Sequence, residues 1–196
     1  MRTHLFASAI LLAIATPTAW AGPSPDTLRL QPESRIWVEG TSTVRSFKCE
    51  AKNFTAALDA EDGAPVAVLA GTKAVNAVSV SVPAAGLDCN NGTMNGHMMK
   101  AIKAKENPEI AFKLASYQLA KQGEGQTITI DGSLTLGGVT RPVSLTAKAN
   151  AVAGGLEVAG STPLKLSDYG LKAPSLMMGT MKVGDQVTVH YQLILK

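Results

Sequence analysis

Apolar and polar residues alternate with a period of two along most of the chain after Ser34, and this pattern predicts half-buried β-strands. We count about eight such segments. Their apolar positions are Ile36 and Val38; Phe47 to Leu58; Val78, Val80 and Val82; Ile110, Phe112 and Leu114; Ile128 to Leu136; Val143 and Leu145; Leu156 and Val158; and Val187 to Leu195. In the second segment the parity changes at Lys52-Asn53, which predicts a bulge or bend.

The links between the later strands are short and rich in glycine, which tolerates the positive φ of hairpin turns. They are Gly123-Glu124-Gly125, Gly137-Gly138 and Gly154-Gly155. Sequential antiparallel strands must protect two sheet edges, and closing the sheet removes both. We therefore predict a mainly β fold, an eight-stranded antiparallel up-and-down barrel whose interior can hold one small ligand. A two-layer sandwich is the alternative.

One stretch breaks the strand period. Between Thr93 and Lys105, apolar side chains recur every fourth residue at Met94, Met98 and Ile102, whereas lysines fall between them. This spacing predicts one amphipathic α-helix of about three turns, which Asn107-Pro108 ends because the residue before proline avoids the helical region. We expect its apolar face to cover the barrel interior.

The first 21 residues have the order of a secretory signal peptide. Arg2 precedes an apolar run of about 11 residues, shorter than the roughly 20 that cross a membrane, and Ala19-Trp20-Ala21 provides a cleavage site. We expect residues 22–196 to form one domain in the periplasm, with no transmembrane segment. In an oxidising compartment, Cys49 and Cys89 are expected to form a disulfide that joins the second strand to the connection before the helix.

Charge and motifs exclude several function classes. Eighteen basic against fifteen acidic residues give a net charge of +3, too little for a nucleic-acid-binding surface. No nucleophile elbow, HExxH pair or phosphate loop occurs, so we predict no enzyme. The acid-base candidates of an enzyme acting on a bound lipid are His97 and Asp168-Tyr169, while His190 has the outward parity of the last strand.

Methionine is enriched in two groups. Thioethers and an imidazole are soft ligands that suit cuprous copper, so an exported copper-binding protein is our alternative hypothesis. The copper hypothesis requires the two methionine groups to converge on one centre. They are Met94, His97, Met98 and Met99, and Met177, Met178 and Met181. We favour the reading that these flexible side chains line an adaptable apolar surface, and we predict no metal site. Lys48, Lys52 and the helix lysines either meet an anionic head group or form a solvated face.

Four stretches together resemble the YceI-like family of exported lipid-binding proteins. They are Ser34 to Ala51 (SRIWVEGTSTVRSFKCEA), Asn107 to Leu114 (NPEIAFKL), Leu134 to Val143 (LTLGGVTRPV) and Leu164 to Leu171 (LKLSDYGL). The resemblance implies a lipocalin-like barrel with a helix against it, which holds a prenyl diphosphate or a prenylated quinone without catalysis.

On this hypothesis the chain binds, stores or transports an isoprenoid lipid and uses no other cofactor. The sequence leaves open whether it forms a homodimer. The expected ligand contacts are inward strand residues and the apolar helix face: Phe47, Met94, Met98, Ile102, Phe112, Leu114, Ile130, Leu145 and Tyr191.

Overall fold

The computed structural model describes residues 28–123, 125–176 and 180–196. Within these ranges it contains eleven strands: β1 Arg35–Ser42, β2 Ser46–Ala51, β3 Thr55–Ala60, β4 Val75–Pro83, β5 Leu87–Asp88, β6 Glu109–Gln122, β7 Gly125–Leu136, β8 Val139–Val152, β9 Gly155–Lys165, β10 Ser175–Leu176 and β11 Met181–Leu195. The helices are α1 Ala64–Leu69 and α2 Gly92–Ala101, with 3-10 turns at Ala84–Gly86 and Leu166–Tyr169. The predicted signal peptide lies outside the described residues.

The strands form one antiparallel sheet that curls into a half-barrel. Its order is β3-β4-β6-β7-β8-β9-β11-β1-β2-β5, and β10 pairs with β11. The mainly β, antiparallel fold class is therefore confirmed. The long hairpins β6 to β9 follow the predicted meander, and the turn between β7 and β8 uses Gly137 and Gly138 at φ 57° and 82°, a conformation that glycine adopts without strain.

The strand order keeps the pairing of the first and last long strands that a closed meander requires, and it departs from a closed meander at one place. β1 pairs with β11, so that Ile36 lies opposite Tyr191. β2 and β3 lie at opposite ends of the sheet order, and the described strands show no pairing between them. The bulge or bend expected at Lys52-Asn53 is a bend, at which the chain leaves β2 on one side of the sheet and starts β3 on the other. Separating β2 from β3 and adding the short β5 and β10 gives eleven strands instead of about eight.

Helix α1 closes one end of the half-barrel, and the strand pattern did not predict it. The helix begins after Gly63, whose φ of 73° marks the entry, and has proline in its first turn, where no hydrogen-bonding N–H is required. Val68 is 2% exposed and packs into a core cluster with buried residues of β6 to β9 and β11. This end of the interior is therefore sealed by apolar packing.

Helix α2 lies toward the other end and is shorter than predicted. Its N-cap is Asn91, whose side chain accepts a hydrogen bond from the Met94 N–H at 2.9 Å. The helix ends at Ala101 with Ile102 as its C-cap, and Lys103 then adopts a φ of 54°, so the backbone leaves the helix well before Asn107-Pro108. Ile102 packs into a second core cluster that includes Leu136, Leu166 and Tyr169.

The predicted disulfide between Cys49 and Cys89 is present and joins β2 to the segment between β5 and α2. Cys49 is only 1% exposed. The bond fastens α2 to the side of the sheet that ends in β2 and β5. It is the covalent link between that edge and the helix.

Candidate functional site

The concave face of the sheet encloses a cavity of about 1280 Å³. Its wall is built by inward side chains from nearly every long strand together with α2, and most of them are aliphatic or aromatic. Many of these side chains, such as Val80, Leu114, Ile130 and Leu145, are only half-buried. Because side chains fill native cores almost completely, an apolar space of this size is typical of a ligand site and not of a packed core.

Three aromatic rings lie against the wall because a glycine on a neighbouring strand leaves room beside each of them. The pairs are Phe47 with Gly40, Phe112 with Gly132, and Tyr191 with Gly160. A Cβ on Gly132 would approach the Phe112 ring to 2.6 Å, and one on Gly160 would approach Tyr191 Cζ to 2.7 Å. We call these pairs the glycine notches. They keep large rings from projecting across the cavity.

All nine residues expected to contact a ligand lie on the cavity wall: Phe47, Met94, Met98, Ile102, Phe112, Leu114, Ile130, Leu145 and Tyr191. The structure therefore brings the strand candidates and the helix candidates together around one space. Ile102 also has a structural role, because it is 7% exposed and belongs to the second core cluster. A substitution there affects folding as well as the cavity.

The wall side of α2 presents Met94, His97, Met98 and Ala101, residues that share one helix face. The Met98 sulfur lies 3.8 Å from the Cys89 sulfur, so the helix packs directly on the disulfide. Of the second methionine group, Met177 and Met178 lie outside the described residues. The copper hypothesis therefore stays a prediction, and the described residues contain no cluster of three or more His, Cys, Asp or Glu residues that could hold a metal.

A polar network holds the segment between β5 and α2. The Cys89 N–H donates to Asn95 Oδ1 at 2.8 Å, and Asn95 Nδ2 donates to Asp88 Oδ1 at 2.9 Å. The Asn90 N–H donates to the same carboxylate oxygen. These hydrogen bonds lower the pKa of Asp88, and the bond from Asn95 has a larger effect than the bond from Asn90. The network fixes the start of α2 beside the disulfide.

Two tyrosines put polar atoms on the otherwise apolar wall. The hydroxyl of Tyr117, near α1, accepts hydrogen bonds from the N–H groups of Ala74 and Val75 at 3.0 and 3.1 Å. The hydroxyl of Tyr191 donates to the Thr146 carbonyl at 3.1 Å, and burial raises the pKa of this phenol. Both hydroxyls thus serve backbone groups of the wall, which keeps the deeper cavity apolar.

The cavity opens at the end opposite α1, where wall residues are also exposed to solvent. Val44, in the turn between β1 and β2, lines the cavity and is nevertheless 67% exposed. Arg45 and Lys165 are likewise exposed lining residues, and no ion pair involves either of them among the described residues. Arg141 Nε donates to the Asp168 carbonyl at 3.0 Å. We call this set of residues, with the adjoining start of β11, the rim.

The lysines of β2 do not belong to the rim. Lys48 lies over the ring of Trp37, and Lys52 pairs with Glu50 at 3.2 Å, so both form part of a solvated outer face. On the same face the Trp37 ring stacks on His190 at 5.0 Å, which confirms the outward direction of His190. The suggestion that Lys48 and Lys52 meet a head group at the opening is therefore wrong.

The acid-base candidates do not assemble into a recognisable catalytic arrangement among the described residues. Tyr169 is 3% exposed within the second core cluster, and burial, followed by the neighbouring Asp168 charge, raises its pKa. Asp168 is exposed at the rim, and Arg141 contacts its backbone carbonyl, not its carboxylate. His97 lines the cavity from α2 without a hydrogen bond to either residue.

Sequence reasoning missed the rim and the glycine notches. Arg45 belongs to a turn, where a basic residue carries no period-two signal. The notches had a detectable signal, since isolated glycine inside a strand often marks close approach of another group. Gly40, Gly132 and Gly160 all occur within strands, but the partner of each glycine follows only from the register.

Comparisons with known proteins agree with this architecture. A sequence family described as the YceI-like domain matches residues 32–195. A UPF0312 protein of Serratia proteamaculans is 32% identical over 104 residues, covering 48% of this chain and 51% of the relative. One of Pseudomonas putida strain W619 is 34% identical over 112 residues, covering 53% and 57%. The chain thus spans about half the length of the curated relatives it matches.

Solved structures show the same fold at low sequence identity. The crystal structure of Burkholderia cenocepacia BcnA has a TM-score of 0.67 at 18% identity and covers 83% of this chain and 96% of BcnA. A polyisoprenoid binding domain from Saccharophagus degradans, implicated in plant cell wall breakdown, has a TM-score of 0.61 at 10% identity, with coverages of 87% and 98%. None of the helices in the described residues has the length and apolar character of a membrane-spanning helix.

Proposed function

The chain belongs to the YceI-like family, and from this premise we propose that it binds an isoprenoid lipid in its cavity and carries or stores it without catalysis. The ligand classes that we propose are a prenyl diphosphate and a prenylated quinone. The site of action that we propose is the periplasm, which is supported by the signal-peptide pattern of residues 1–21 and by the disulfide.

The observation that carries this proposal is the large apolar cavity with half-buried walls. Burying apolar surface yields about 25 cal/mol per Å² removed from water. An isoprenoid chain gains this energy along its whole length, and so do the wall side chains that it covers. A small polar ligand would leave most of the wall uncovered.

Two further features support a long and flexible ligand. Met94 and Met98 line the cavity from α2, and methionine side chains adapt to irregular apolar contents. The related fold in Saccharophagus degradans is a polyisoprenoid binding domain. We propose the nine wall residues named above as the contacts of the isoprenoid chain.

The direct experiment is mass spectrometry of organic extracts from protein purified without added lipid. It is followed by uptake of prenyl diphosphate and prenylated quinone presented in detergent. We expect one of these classes to co-purify or to be taken up at close to one molecule per chain. If no isoprenoid co-purifies and neither class is taken up, the proposed function is wrong.

A pair of matched variants tests the site. Met94→Asp together with Met98→Asp puts two carboxylates into the apolar wall, and we expect lipid retention to fall at least ten-fold because charges are costly in an apolar environment. Met99→Asp is the control, since this neighbouring residue does not line the cavity. Ile102 is left unchanged because it supports the second core cluster. Equal losses in the control and the double variant would contradict the assignment.

A further inference from the structure

The rim combines an exposed apolar residue with unpaired positive charge, and we propose that it is a docking surface for an anionic phospholipid bilayer. Val44 and Val66 are the large apolar residues most exposed to solvent in the described chain, at 67% and 74%. Val44 stands at the rim and Val66 on α1 at the closed end. Only Val44 therefore combines such exposure with a position on the cavity wall.

The elements that form the rim are held together by backbone contacts. The Thr43 N–H, in the turn between β1 and β2, donates to the Lys182 carbonyl at 3.0 Å, which joins that turn to the start of β11. Gln186 of β11 pairs with Lys165 at the end of β9. Val44, Arg45, Lys165 and Lys182 thus lie on connected elements at one end of the sheet.

Basic residues predominate at the rim. The rim and its adjoining loop carry five basic residues and two acidic ones: Arg45, Arg141, Lys165, Lys172 and Lys182 against Asp168 and Asp185. The Asp185 carboxylate accepts a hydrogen bond from the Ser167 N–H at 2.9 Å. At the other end, the segment leading into α1 carries Asp59, Glu61 and Asp62, and Lys73 follows the helix. An anionic surface therefore attracts the rim and repels the segment before α1.

A bilayer fits this surface better than a soluble anion does. A soluble anion gains nothing from an exposed valine, whereas a membrane surface accommodates apolar side chains and attracts the basic residues around them. Docking in this orientation brings the cavity opening to the lipid. The role of docking in lipid transfer rests on the proposed function, but the binding chemistry does not.

Co-sedimentation with vesicles tests the proposal. We expect the protein to bind vesicles of equal parts phosphatidylglycerol and phosphatidylcholine in 50 mM NaCl and to be released from them by 500 mM NaCl. We expect no binding to vesicles of pure phosphatidylcholine. Arg45→Gln with Lys182→Gln should weaken binding about 25-fold, from about five-fold for each charge. Lys113→Gln with Lys148→Gln removes two exposed charges from other strands and should leave binding unchanged.

The apolar contribution is tested with the two highly exposed valines. Val44→Ser should weaken vesicle binding about five-fold, and Val66→Ser should leave it unchanged. Binding that does not prefer anionic vesicles, or that falls equally in the Lys113/Lys148 variant, would overturn the proposal. Uptake of prenyl compounds from detergent is measured on the same samples. Retained uptake without vesicle binding refutes only the docking surface, whereas vesicle binding without uptake refutes only the proposed lipid cargo.

Discussion

Replacing Gly40 by alanine tests whether the glycine notches keep the cavity open. An ideal Cβ at this position would lie 2.8 Å from Cε1 and 3.2 Å from Cε2 of Phe47, and its nearest neighbours are all atoms of that ring. Gly40 has no positive φ, so the backbone itself accepts alanine. The substitution therefore displaces the Phe47 ring, and the space available to the ring is the cavity.

The magnitude follows from two opposing effects. Overpacking of a fitted site costs about 1–3 kcal/mol. Alanine in place of glycine within a strand returns about 0.5–1 kcal/mol by restricting the unfolded chain. We expect a net loss of about 1 kcal/mol in the free energy of unfolding, measured by urea denaturation with linear extrapolation, together with weaker uptake of a prenyl compound.

The matched background is Phe47→Ala, which removes the ring. There, Gly40→Ala meets no obstacle and should stabilise the protein by about 0.5–1 kcal/mol. The double-mutant cycle should show a coupling of about 1–3 kcal/mol between the two positions. If the two substitutions are additive to within about 0.5 kcal/mol, the ring does not depend on the notch and the reasoning is refuted.

Three further predictions concern the framework of the cavity. Cys49→Ala with Cys89→Ala should lower the free energy of unfolding by about 4 kcal/mol in the chain-entropy model. Thiol titration of unfolded, unreduced wild-type protein should find no free thiol, and two reactive thiols per chain would contradict the disulfide. Tyr117→Phe leaves the Ala74 and Val75 N–H groups without their acceptor, so urea denaturation should show a loss of about 1–3 kcal/mol; an unchanged midpoint would show that other groups replace the hydroxyl. The hydrogen bonds that Asp88 accepts lower its pKa in the folded protein. They therefore stabilise the fold at pH values above the ordinary carboxyl pKa, and this stabilisation is lost as the pH falls below that value and Asp88 is protonated. The stability difference between wild type and Asp88→Ala should therefore narrow in acid; a constant difference would remove the role of the charged form.

The sequence predicted the parts of the fold that depend on local periodicity. The alternation from Ile110 to Val158 corresponds to the long hairpins, and the four-residue spacing of Met94 and Met98 corresponds to α2. The pairing of β1 with β11 could not be read in the same way, because it joins residues about 150 positions apart. Helix α1 has only six residues, too few for a period of 3.6 to stand out.

The cavity wall was predictable for a related reason. Inward parity places Phe112, Ile130 and Tyr191 on the concave face, and the structure has all three lining the cavity. The rim was not predictable, because Val44 and Arg45 become neighbours of Lys182 only through long-range backbone contacts. Parity fixes the side of the sheet on which a residue lies, whereas the opening depends on which elements meet at its end.

The pairing of β1 with β11 also has a consequence for the order in which we expect the protein to fold. The hairpins from β6 to β9 require only contacts between successive strands, and such local pairs form early. The hairpin of β1 and β2 has no other long strand to pair with until β11 is in place, since β11 lies between β9 and β1. The strand that follows all the others described in the chain thus unites the two parts of the sheet, and we expect its docking to be the slow, long-range step of folding.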